Sequence, residues 1–494
     1  MHRKKPIFYS ALLLTGVNLL LRLVSTSFQV YISGRIGAEG VGLLQLVLSV
    51  GGLSLTLGMA GIRTTAMYLT AEELGRKREQ NVHWVLRGCF LYSLAFSGAA
   101  GVLLWFAAPT IAQSWIGNPN AAGAVRLFGV FLPIVCLCGC LTGYFTAANK
   151  IGTLALVEIF EQLCYMAVTM AVLHLWAGSD PGKACRAVVL GSGISSSFTL
   201  VCLLLLRRKH RCSDGPPIPI AHRLLTTALP LALADNVKAG ISTTENLMVP
   251  KRLALYPGEI SPLAAFGTVC GMVFPVLMFP AAILFALAEL LIPGMARCNA
   301  TGSSRRIQYL ASKSLKLAML YGCLCGGVLF GLAKPLCLGL YQSSTAGSYL
   351  RLYSLLAPML YCDAITDAMT KGLGQQRICV RYNIITSAMD VALLFLLLPR
   401  YGMLGYFVSF LVTHLINFIL SLRLLLKITG IRIPLYLPVF TVSAALAGIW
   451  GATFTRGMVF TVTAFLGIFS SLLFLFGVLS KKDLRWVKGL IQRA

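Results

Sequence analysis

The segment VRLFGVFLP at residues 125–133 returns as LRLYSLLAP at residues 350–358, an offset of 225 positions. Both copies have an arginine at their second position and a proline at their last, and the apolar residues between them match in kind. At the same offset, Gly42 falls on Gly267. The sequence therefore contains an internal repeat, and its fold has to consist of two similar halves.

A second match lies near the beginning of each half. STSFQVYISGR at residues 25–35 meets STTENLMVPKR at residues 242–252, at an offset of 217. The difference between the two offsets falls in the loop that contains Pro257. The repeat thus extends over most of the chain and includes its first apolar segment.

The composition is that of a membrane protein. Of the 494 residues 57% are hydrophobic and only 12% are charged, with a mean hydropathy of +0.80. A soluble core of this size would need far more polar surface around it, and apolar runs long enough to cross a bilayer recur along the whole chain. These features exclude the soluble multidomain classes.

Fourteen apolar segments are long enough to span a membrane, and all are predicted to be helices because strand barrels would show short alternating segments instead. They lie near residues 8–33, 41–66, 84–109, 122–146, 151–176, 184–206, 224–249, 261–290, 311–333, 346–370, 380–399, 404–426, 434–454 and 458–479. Six segments are repeated and two are added at the end. The predicted fold is an all-α polytopic membrane protein with two six-helix lobes and two C-terminal helices.

The repeat also predicts how the lobes are related. Each copy has an even number of spans, so the two lobes run parallel and are related by a pseudo-twofold axis along the membrane normal, with the substrate bound between them. The predicted boundaries are 1–206 for the N-terminal lobe, 207–223 for a cytoplasmic inter-lobe loop, 224–427 for the C-terminal lobe, and 428–494 for the last two helices with a basic tail.

The net charge of +26 comes from 42 Lys and Arg against 16 Asp and Glu. In a soluble protein this balance would suggest nucleic acid, but here the basic residues cluster between apolar runs, as the positive-inside rule requires. The loops on the side of the termini carry 27 basic residues and the opposite loops carry nine. We therefore expect both termini to be cytoplasmic, the cytoplasmic membrane to be the location, and no nucleic-acid partner.

Three spans carry polar stripes at helical spacing, which suggests that they line an aqueous cavity. The stripes consist of Asn18, Arg22, Ser25 and Gln29 in the first span, of Glu158, Glu161, Gln162, Tyr165 and Thr169 in the fifth, and of Asp235, Lys238, Ser242 and Glu245 in the seventh. A charge within the hydrocarbon costs about 2.5 to 3.5 kcal/mol, so such residues normally face a cavity or a partner. The alternative is that they pair with one another inside a packed bundle.

Two further intramembrane charges are candidates for function. Arg63, near the cytoplasmic end of the second span, either lines the cavity or extends its charge to the interface. Asp390 lies near mid-depth in the eleventh span, one turn after Thr386. Since Asp235 and Asp390 would repel each other unless a cation lay between them, we predict an ion-coupling site there for Na⁺ or H⁺.

An intramembrane prenyl-diphosphate enzyme is the alternative of another class. Asp363 and Asp367, four positions apart, have the spacing of carboxylates that hold magnesium diphosphate in such enzymes. A second motif of this kind would be needed, and Glu158 with Glu161 comes closest. Metalloprotease, phosphate-loop and nucleophile-elbow motifs are missing. We therefore predict a protein that is not an enzyme and has no cofactor beyond a coupling ion.

The span pattern of six, six and two, with GRIGAEGVG at 34–42 and RYGMLGYFVS at 400–409, resembles the multidrug/oligosaccharidyl-lipid/polysaccharide (MOP) exporter superfamily. The seventh and eighth spans, at 228–253 and 266–293, and DAITDAMTKGLGQQ at 363–376 resemble its stage V sporulation protein B branch, which is related to the lipid II flippases.

This resemblance implies a flippase that moves an undecaprenyl-diphosphate-linked saccharide by alternating access, most simply a peptidoglycan precursor used in sporulation. It assigns the diphosphate to Arg22 and Arg63, with Arg35 at the outer mouth, and arginine is a strong phosphate partner in a low-dielectric cavity. Some relatives hold sodium with carboxylates and hydroxyls, which Asp235 and Asp390 could supply here with Thr386 and Thr413. We expect a monomer surrounded by membrane lipids. The main alternative is a cation-coupled multidrug antiporter of the same superfamily.

Overall fold

The computed structural model describes residues 7–76, 78–148, 150–177, 180–208, 220–431, 434, 436–452 and 457–479. These residues form helices and short connections, and they contain no strand, which confirms the predicted all-α fold. Most of the predicted inter-lobe loop and the basic tail lie outside the described residues.

Sixteen α-helices follow one another along the described chain, and five short 3₁₀ or π turns lie between them. The helices are α1 Ile7–Met59, α2 Ile62–Gly75, α3 Val82–Thr110, α4 Ala122–Ala147, α5 Ile151–Val172, α6 Pro181–Arg208, α7 Ala221–Leu253, α8 Pro262–Gly267, α9 Phe274–Met278, α10 Ala281–Ala300, α11 Ser304–Tyr341, α12 Ser344–Ser354, α13 Ala357–Gly372, α14 Gln376–Thr429, α15 Tyr436–Ala452 and α16 Met458–Leu475. Each of the fourteen predicted spans falls on one or more of these helices.

The lengths of the helices agree with many membrane spans. Within the described residues, nine helices are long and apolar enough to cross a bilayer. Two of these segments, Leu20–Gly75, which includes most of α1 and all of α2, and Gln376–Thr429, which is α14, have 56 and 54 residues, more than twice the roughly 20 residues that one crossing needs. Each of these two segments can therefore hold two spans.

Glycines divide both long helices. Gly37 has φ 69° and ψ 177°, and Gly402 has φ 58° and ψ −138°, so the helical path is broken inside α1 and inside α14. An L side chain rarely adopts either conformation, which explains why glycine occupies both positions. An arginine stands two residues before each of them. The breaks fall where the sequence predicts the loops between spans one and two and between spans eleven and twelve.

The internal repeat is present in the packing of the helices. A Cβ atom on Gly101 would lie 2.5 Å from the carbonyl oxygen of Gly129, and one on Gly326 would lie 2.8 Å from that of Ser354. Both pairs are related by the offset of 225. Small residues therefore let α3 approach α4, and α11 approach α12, at the same point of each half.

The arginines of the quoted segments repeat a second contact. The guanidinium carbon of Arg126 lies 5.8 Å from the centre of the Trp105 ring, and that of Arg351 lies 4.5 Å from the centre of the Phe330 ring. The aromatic partners are related by the same offset of 225. Both halves thus hold the same arginine against an aromatic ring.

The repeat-related glycines Gly42 and Gly267 contact each other. A Cβ on Gly267 would lie 2.1 Å from the oxygen of Ala38 and 2.4 Å from the nitrogen of Gly42, and a Cβ on Gly42 would lie 2.2 Å from the oxygen of Leu263. The contact is reciprocal, as expected of equivalent residues next to a twofold axis. It agrees with the parallel arrangement that the even-numbered repeat predicts.

The chain divides into two compact units, Met1–Gly271 with Leu394–Met403 and Met272–Leu393 with Leu404–Ala494. The core of the first unit includes buried side chains of α2, α3, α4, α6 and α7. In the second unit α15 and α16 pack on α11 through residues such as Phe465. The predicted lobe boundaries stay a prediction, since the first unit also takes in α7 and the beginning of the eighth span.

Arg223, at the beginning of α7, binds the end of α2. Its Nη2 atom lies 2.6 Å from an oxygen of Glu72, and its Nη1 atom donates to Glu73 at 3.0 Å. The Glu73 residue is only 1% exposed and also accepts a hydrogen bond from the Asn81 amide at 2.8 Å. Glu72 has a further salt bridge to Arg76 at 2.7 Å. This cluster, Glu72, Glu73, Asn81 and Arg223, joins the second span to the seventh.

Candidate substrate and ion sites

The polar stripe of the first span lies on α1. Ser25 is exposed, Arg22 and Gln29 are half-buried, and the Asn18 side chain lies outside the described part. The amide of Gln29 donates to the carbonyl oxygen of Gly271 at 3.4 Å. Next to Gln29, the buried Phe28 ring meets the Tyr165 ring of α5 edge to face at 5.2 Å. The stripe therefore borders α5, as a shared cavity wall requires.

A break in the second span positions Arg63. The chain leaves the helical conformation at Ala60, with φ 41°, and at Gly61, with φ 72°, and α2 begins at the next residue. A Cβ on Gly61 would lie 2.7 Å from the carbonyl oxygen of Ala228 in α7, so the break lies against α7. Arg63 consequently occupies the first turn of α2 and is exposed. A helix N-terminus and an arginine both favour an anion.

The two acids of the fifth span interact with different groups. The charges of Arg63 and Glu158 attract each other, and Glu158 is half-buried. Glu161, one turn later, accepts a hydrogen bond from the Ser196 hydroxyl of α6 at 3.0 Å. The sequence does not identify Ser196, whose role depends on how α5 packs on α6. An anionic ligand at Arg63 would compete with Glu158.

The polar stripe of the seventh span is more open. Asp235 and Lys238 are exposed, and within the described residues no ion pair joins them. Glu245 is half-buried and has a partner of its own. Near it, α7 is bonded to α1, where the Asn246 amide donates to the Ser49 hydroxyl at 3.0 Å. Asp235 and Lys238 thus remain accessible to a ligand or an ion.

Asp390 in the second unit is buried among hydroxyl groups. It is 4% exposed and accepts hydrogen bonds from the Ser409 hydroxyl at 2.6 Å and the Thr413 hydroxyl at 3.2 Å. Thr386 is buried too, but its hydroxyl donates to the carbonyl oxygen of Tyr382 at 2.9 Å. The hydroxyl partners of Asp390 therefore come from the second half of α14.

A column of buried polar residues along α14 extends beyond the sequence-based predictions, which name Thr413 alone among its members. Its members are spaced four residues apart and are at most 8% exposed: Ser409, Thr413, Asn417 and Ser421. The Asn417 amide nitrogen donates to Asp363 at 3.2 Å, so the column binds acids of two spans. The regular spacing is visible in the sequence, but Ser409, Asn417 and Ser421 are uncharged, and a search for intramembrane charges does not find them.

The two carboxylates of the enzyme alternative have separate partners. Asp363 accepts from Asn417, whereas Asp367 forms a salt bridge with Lys371 at 2.6 Å. Among the described residues, no group of three or more His, Cys, Asp or Glu side chains is placed to hold a metal ion.

Asp235 and Asp390 belong to different compact units, so the ion site predicted between them stays a prediction.

Comparison with known proteins gives one family and one curated relative. The family model MatE matches residues 15–175. Stage V sporulation protein B of Bacillus subtilis (strain 168) is 22% identical over 423 residues, which cover 81% of this chain and 80% of the relative. The matched family segment contains Arg22, Arg63, Glu158 and Glu161.

Solved structures share the fold over most of the chain. The lipid II flippase MurJ in an inward closed conformation has a TM-score of 0.71 at 13% identity, covering 96% of this chain and 99% of that one. An inward-facing MATE family multidrug resistance transporter of the MOP superfamily has a TM-score of 0.66 at 14% identity, covering 88% and 99%. A MOP superfamily transporter from Pyrococcus furiosus, in which a reversed polarity of the binding pocket suggests a different function, has a TM-score of 0.59 at 14% identity, covering 88% and 96%.

The resemblance predicted from the sequence is thereby confirmed, and these solved structures are of transporters and a flippase rather than enzymes. The helices and the matches agree on a multi-pass membrane protein. The MatE match over residues 15–175, the similarity to stage V sporulation protein B and the fold shared with these solved structures all support the resemblance to the multidrug/oligosaccharidyl-lipid/polysaccharide exporter superfamily.

Proposed function

We propose that this protein is a flippase that moves an undecaprenyl-diphosphate-linked saccharide, a cell-wall precursor such as lipid II, across the cytoplasmic membrane by alternating access. The observation that carries the proposal is the exposed Arg63 in the first turn of α2, whose positive charge attracts Glu158. The similarity to stage V sporulation protein B and the fold shared with MurJ support the same substrate class. Cytoplasmic termini and a monomeric state belong to the proposal.

The chemistry of Arg63 suits a lipid diphosphate. Its planar guanidinium can donate two parallel hydrogen bonds to phosphate oxygens, and the N–H groups of the first helical turn add to the attraction. In the absence of substrate, Glu158 compensates the charge of Arg63. When the diphosphate binds, it replaces the Glu158 carboxylate as the partner of Arg63. When the substrate is released, Glu158 again interacts with Arg63. We assign Arg22 as the second arginine for the diphosphate.

The buried Asp390 is the proposed ion-coupling residue. Its carboxylate holds two hydroxyls in a region of low dielectric, where the negative charge would be costly without compensation. Binding of Na⁺ or H⁺ would neutralise it, and the Ser409 and Thr413 hydroxyls can rotate to present their oxygens to a cation. Asp235 of the seventh span is the second proposed ion-coupling residue.

A multidrug antiporter is the second candidate function. It is favoured by the MatE match over residues 15–175, which contains the acids Glu158 and Glu161. Carboxylates at a cavity wall would attract a cationic drug. The two candidates differ in the charge of the ligand, so Arg63 should assist a diphosphate and oppose a cation.

The decisive experiment uses the purified full-length protein in liposomes that contain labelled lipid II. The appearance of the label to an impermeant reagent outside gives the rate of flipping, and efflux of a cationic dye is measured in parallel under Na⁺ and pH gradients. We expect flipping without dye efflux. Arg63→Ala should slow flipping by about 100-fold or more, because each of its two charge-assisted hydrogen bonds contributes about 1.5–3 kcal/mol. Arg63→Lys should retain only part of the rate.

Arg87→Ala is the matched control, since Arg87 is also exposed but stacks on Trp84, 5.4 Å from the ring centre. It should flip at the wild-type rate. Dye efflux without flipping would establish the antiporter instead. Flipping that is equally fast in wild type and in Arg63→Ala would remove Arg63 from the site.

A further inference from the structure

Two basic side chains lie at a cavity in the second unit, away from the sites described above. The cavity has a volume of about 330 Å³ and is lined by residues of α11, α12, α15 and α16. Among the described residues that line it, Lys334 and Arg351 are charged and none is acidic. Gly347, one turn before Arg351, lies so close to α11 that a Cβ on it would be 2.9 Å from the Lys334 Cα. The close approach of α12 to α11 therefore places both cations in the wall of one cavity.

An apolar cavity of about 280 Å³ adjoins the first, and the two share Gly327 and Ile449 in their walls. Most of the side chains that line it are apolar. They include Leu355 and Leu446, which are 47% and 55% exposed. Its polar lining is small. The pair of cavities is thus positive at one end and apolar at the other.

The spacing along α11 places the two ends at different depths. Lys334 lies seven residues before the end of α11, whereas Cys323, in the wall of the apolar cavity, lies eleven residues further back, about 16 Å along the axis. This is about half of the roughly 30 Å hydrocarbon thickness of a bilayer. In a phospholipid, the phosphate at the membrane interface and the acyl chain end near the middle of the bilayer have a similar separation.

We propose that the joined cavities bind an anionic phospholipid, with its phosphate at Lys334 and Arg351 and an acyl chain in the apolar cavity. The stacking of Arg351 on Phe330 uses the face of the guanidinium, so its N–H edge is available for phosphate oxygens. Basic residues are scarce on this side of the protein, where the loop count gives nine against 27, and two of the nine converge here.

The N-terminal half provides an internal comparison. Arg126 stacks on Trp105 as Arg351 stacks on Phe330, but the position that corresponds to Lys334 at the offset of 225 is Pro109. The arginine and its aromatic partner are thus a feature of both halves, whereas the second cation belongs to one. The helices α15 and α16, which complete the cavity walls, belong to the unrepeated addition. The lipid site is therefore a property of the C-terminal half alone.

Native mass spectrometry of the detergent-purified full-length protein tests the proposal, with dioleoylphosphatidylglycerol as the anionic lipid and dioleoylphosphatidylcholine as the zwitterionic one. We expect the wild type to bind the anionic lipid more tightly. Lys334→Gln with Arg351→Gln should weaken that binding about 30-fold, and Lys334→Gln alone about fivefold, since each basic residue contributes a similar attraction to an anionic lipid. Arg126→Gln, the matched control, should bind like the wild type.

Equal binding of the two lipids by the wild type, or undiminished binding of the anionic lipid by both Gln variants, would overturn the proposal. Excess glycerol 3-phosphate separates a lipid site from a phosphate site. It should leave the lipid bound, because the acyl chain holds it, and displacement by this headgroup fragment would also count against the proposal. Lys334→Gln changes one exposed side chain and should fold normally. The single variant therefore tests the proposal even if the double variant folds poorly.

Discussion

Removal of Arg223 should destabilise the protein far more than removal of Arg76, although both arginines bind the same acid. The Arg223 side chain is 36% exposed and the Glu73 side chain 2%, so their pair lies between a surface and a buried ion pair. Surface pairs contribute about 0–1 kcal/mol, and loss of one partner of a buried pair costs about 3–5 kcal/mol. For Arg223→Ala we therefore expect a loss of about 2 kcal/mol.

The matched control is Arg76→Ala. The Arg76 side chain is 52% exposed and pairs with Glu72 at i,i+4 on the helix surface. Such a pair contributes only about 0.3–0.5 kcal/mol. Arg76→Ala should therefore melt close to the wild-type temperature.

The assay is thermal unfolding of the detergent-solubilised variants, followed by intrinsic fluorescence at neutral pH. The double variant Arg223→Ala with Glu73→Gln should be more stable than Arg223→Ala alone, because it leaves no uncompensated buried carboxylate. The Asn81 amide can still donate to the glutamine oxygen. Melting of Arg223→Ala at the temperature of Arg76→Ala would refute this reasoning, as would a double variant that is no more stable than Arg223→Ala.

Three further predictions concern the ion site, a helix break and the topology. Asp390→Asn should abolish any dependence of transport on Na⁺ or a proton gradient while the protein stays folded, and unchanged ion dependence would exclude Asp390 from coupling. Gly402→Ala should lower the free energy of unfolding by about 1–3 kcal/mol because of its positive φ, and the helical Gly467→Ala, whose added methyl meets nothing within 4 Å, should lower the melting temperature little or not at all. A cysteine at position 180 on a cysteine-free background should react with an impermeant reagent outside intact cells, whereas reaction only after permeabilisation would reverse the topology.

The sequence predicts the helices well because hydrophobic length is a local property. The break at Gly37 falls between the first two predicted spans, and the break at Gly402 falls between the eleventh and twelfth. The sequence shows both places, because an apolar run ends there and a glycine follows. The internal repeat is also visible in the sequence, as matching segments at a constant offset. It predicts equivalent contacts, such as the stacking of Arg126 and Arg351 on aromatic rings.

The partners of the candidate site residues could not be predicted in the same way. The sequence shows that Asp390 is an acid in an apolar segment, but only the fold shows that Ser409 and Thr413, about 20 residues later, bind it. Thr386 has the right spacing on the same helix, yet a threonine in a helix can donate to a carbonyl of its own previous turn. Which hydroxyl reaches an acid depends on how the two arms of α14 pack.

The contact between Gly42 and Gly267 has a consequence for how such a chain could originate. Each glycine meets the same region of the other half, which is the form that an isologous interface takes in a symmetric dimer. A gene for one half could therefore have encoded a dimer joined through its own glycine, and duplication with fusion would have placed both subunits in one chain. After fusion each half can acquire substitutions alone, which is how the second half can have Lys334 where the first has Pro109. The glycine contact is then the remaining trace of a subunit interface, and the two halves on either side of it are free to diverge in function.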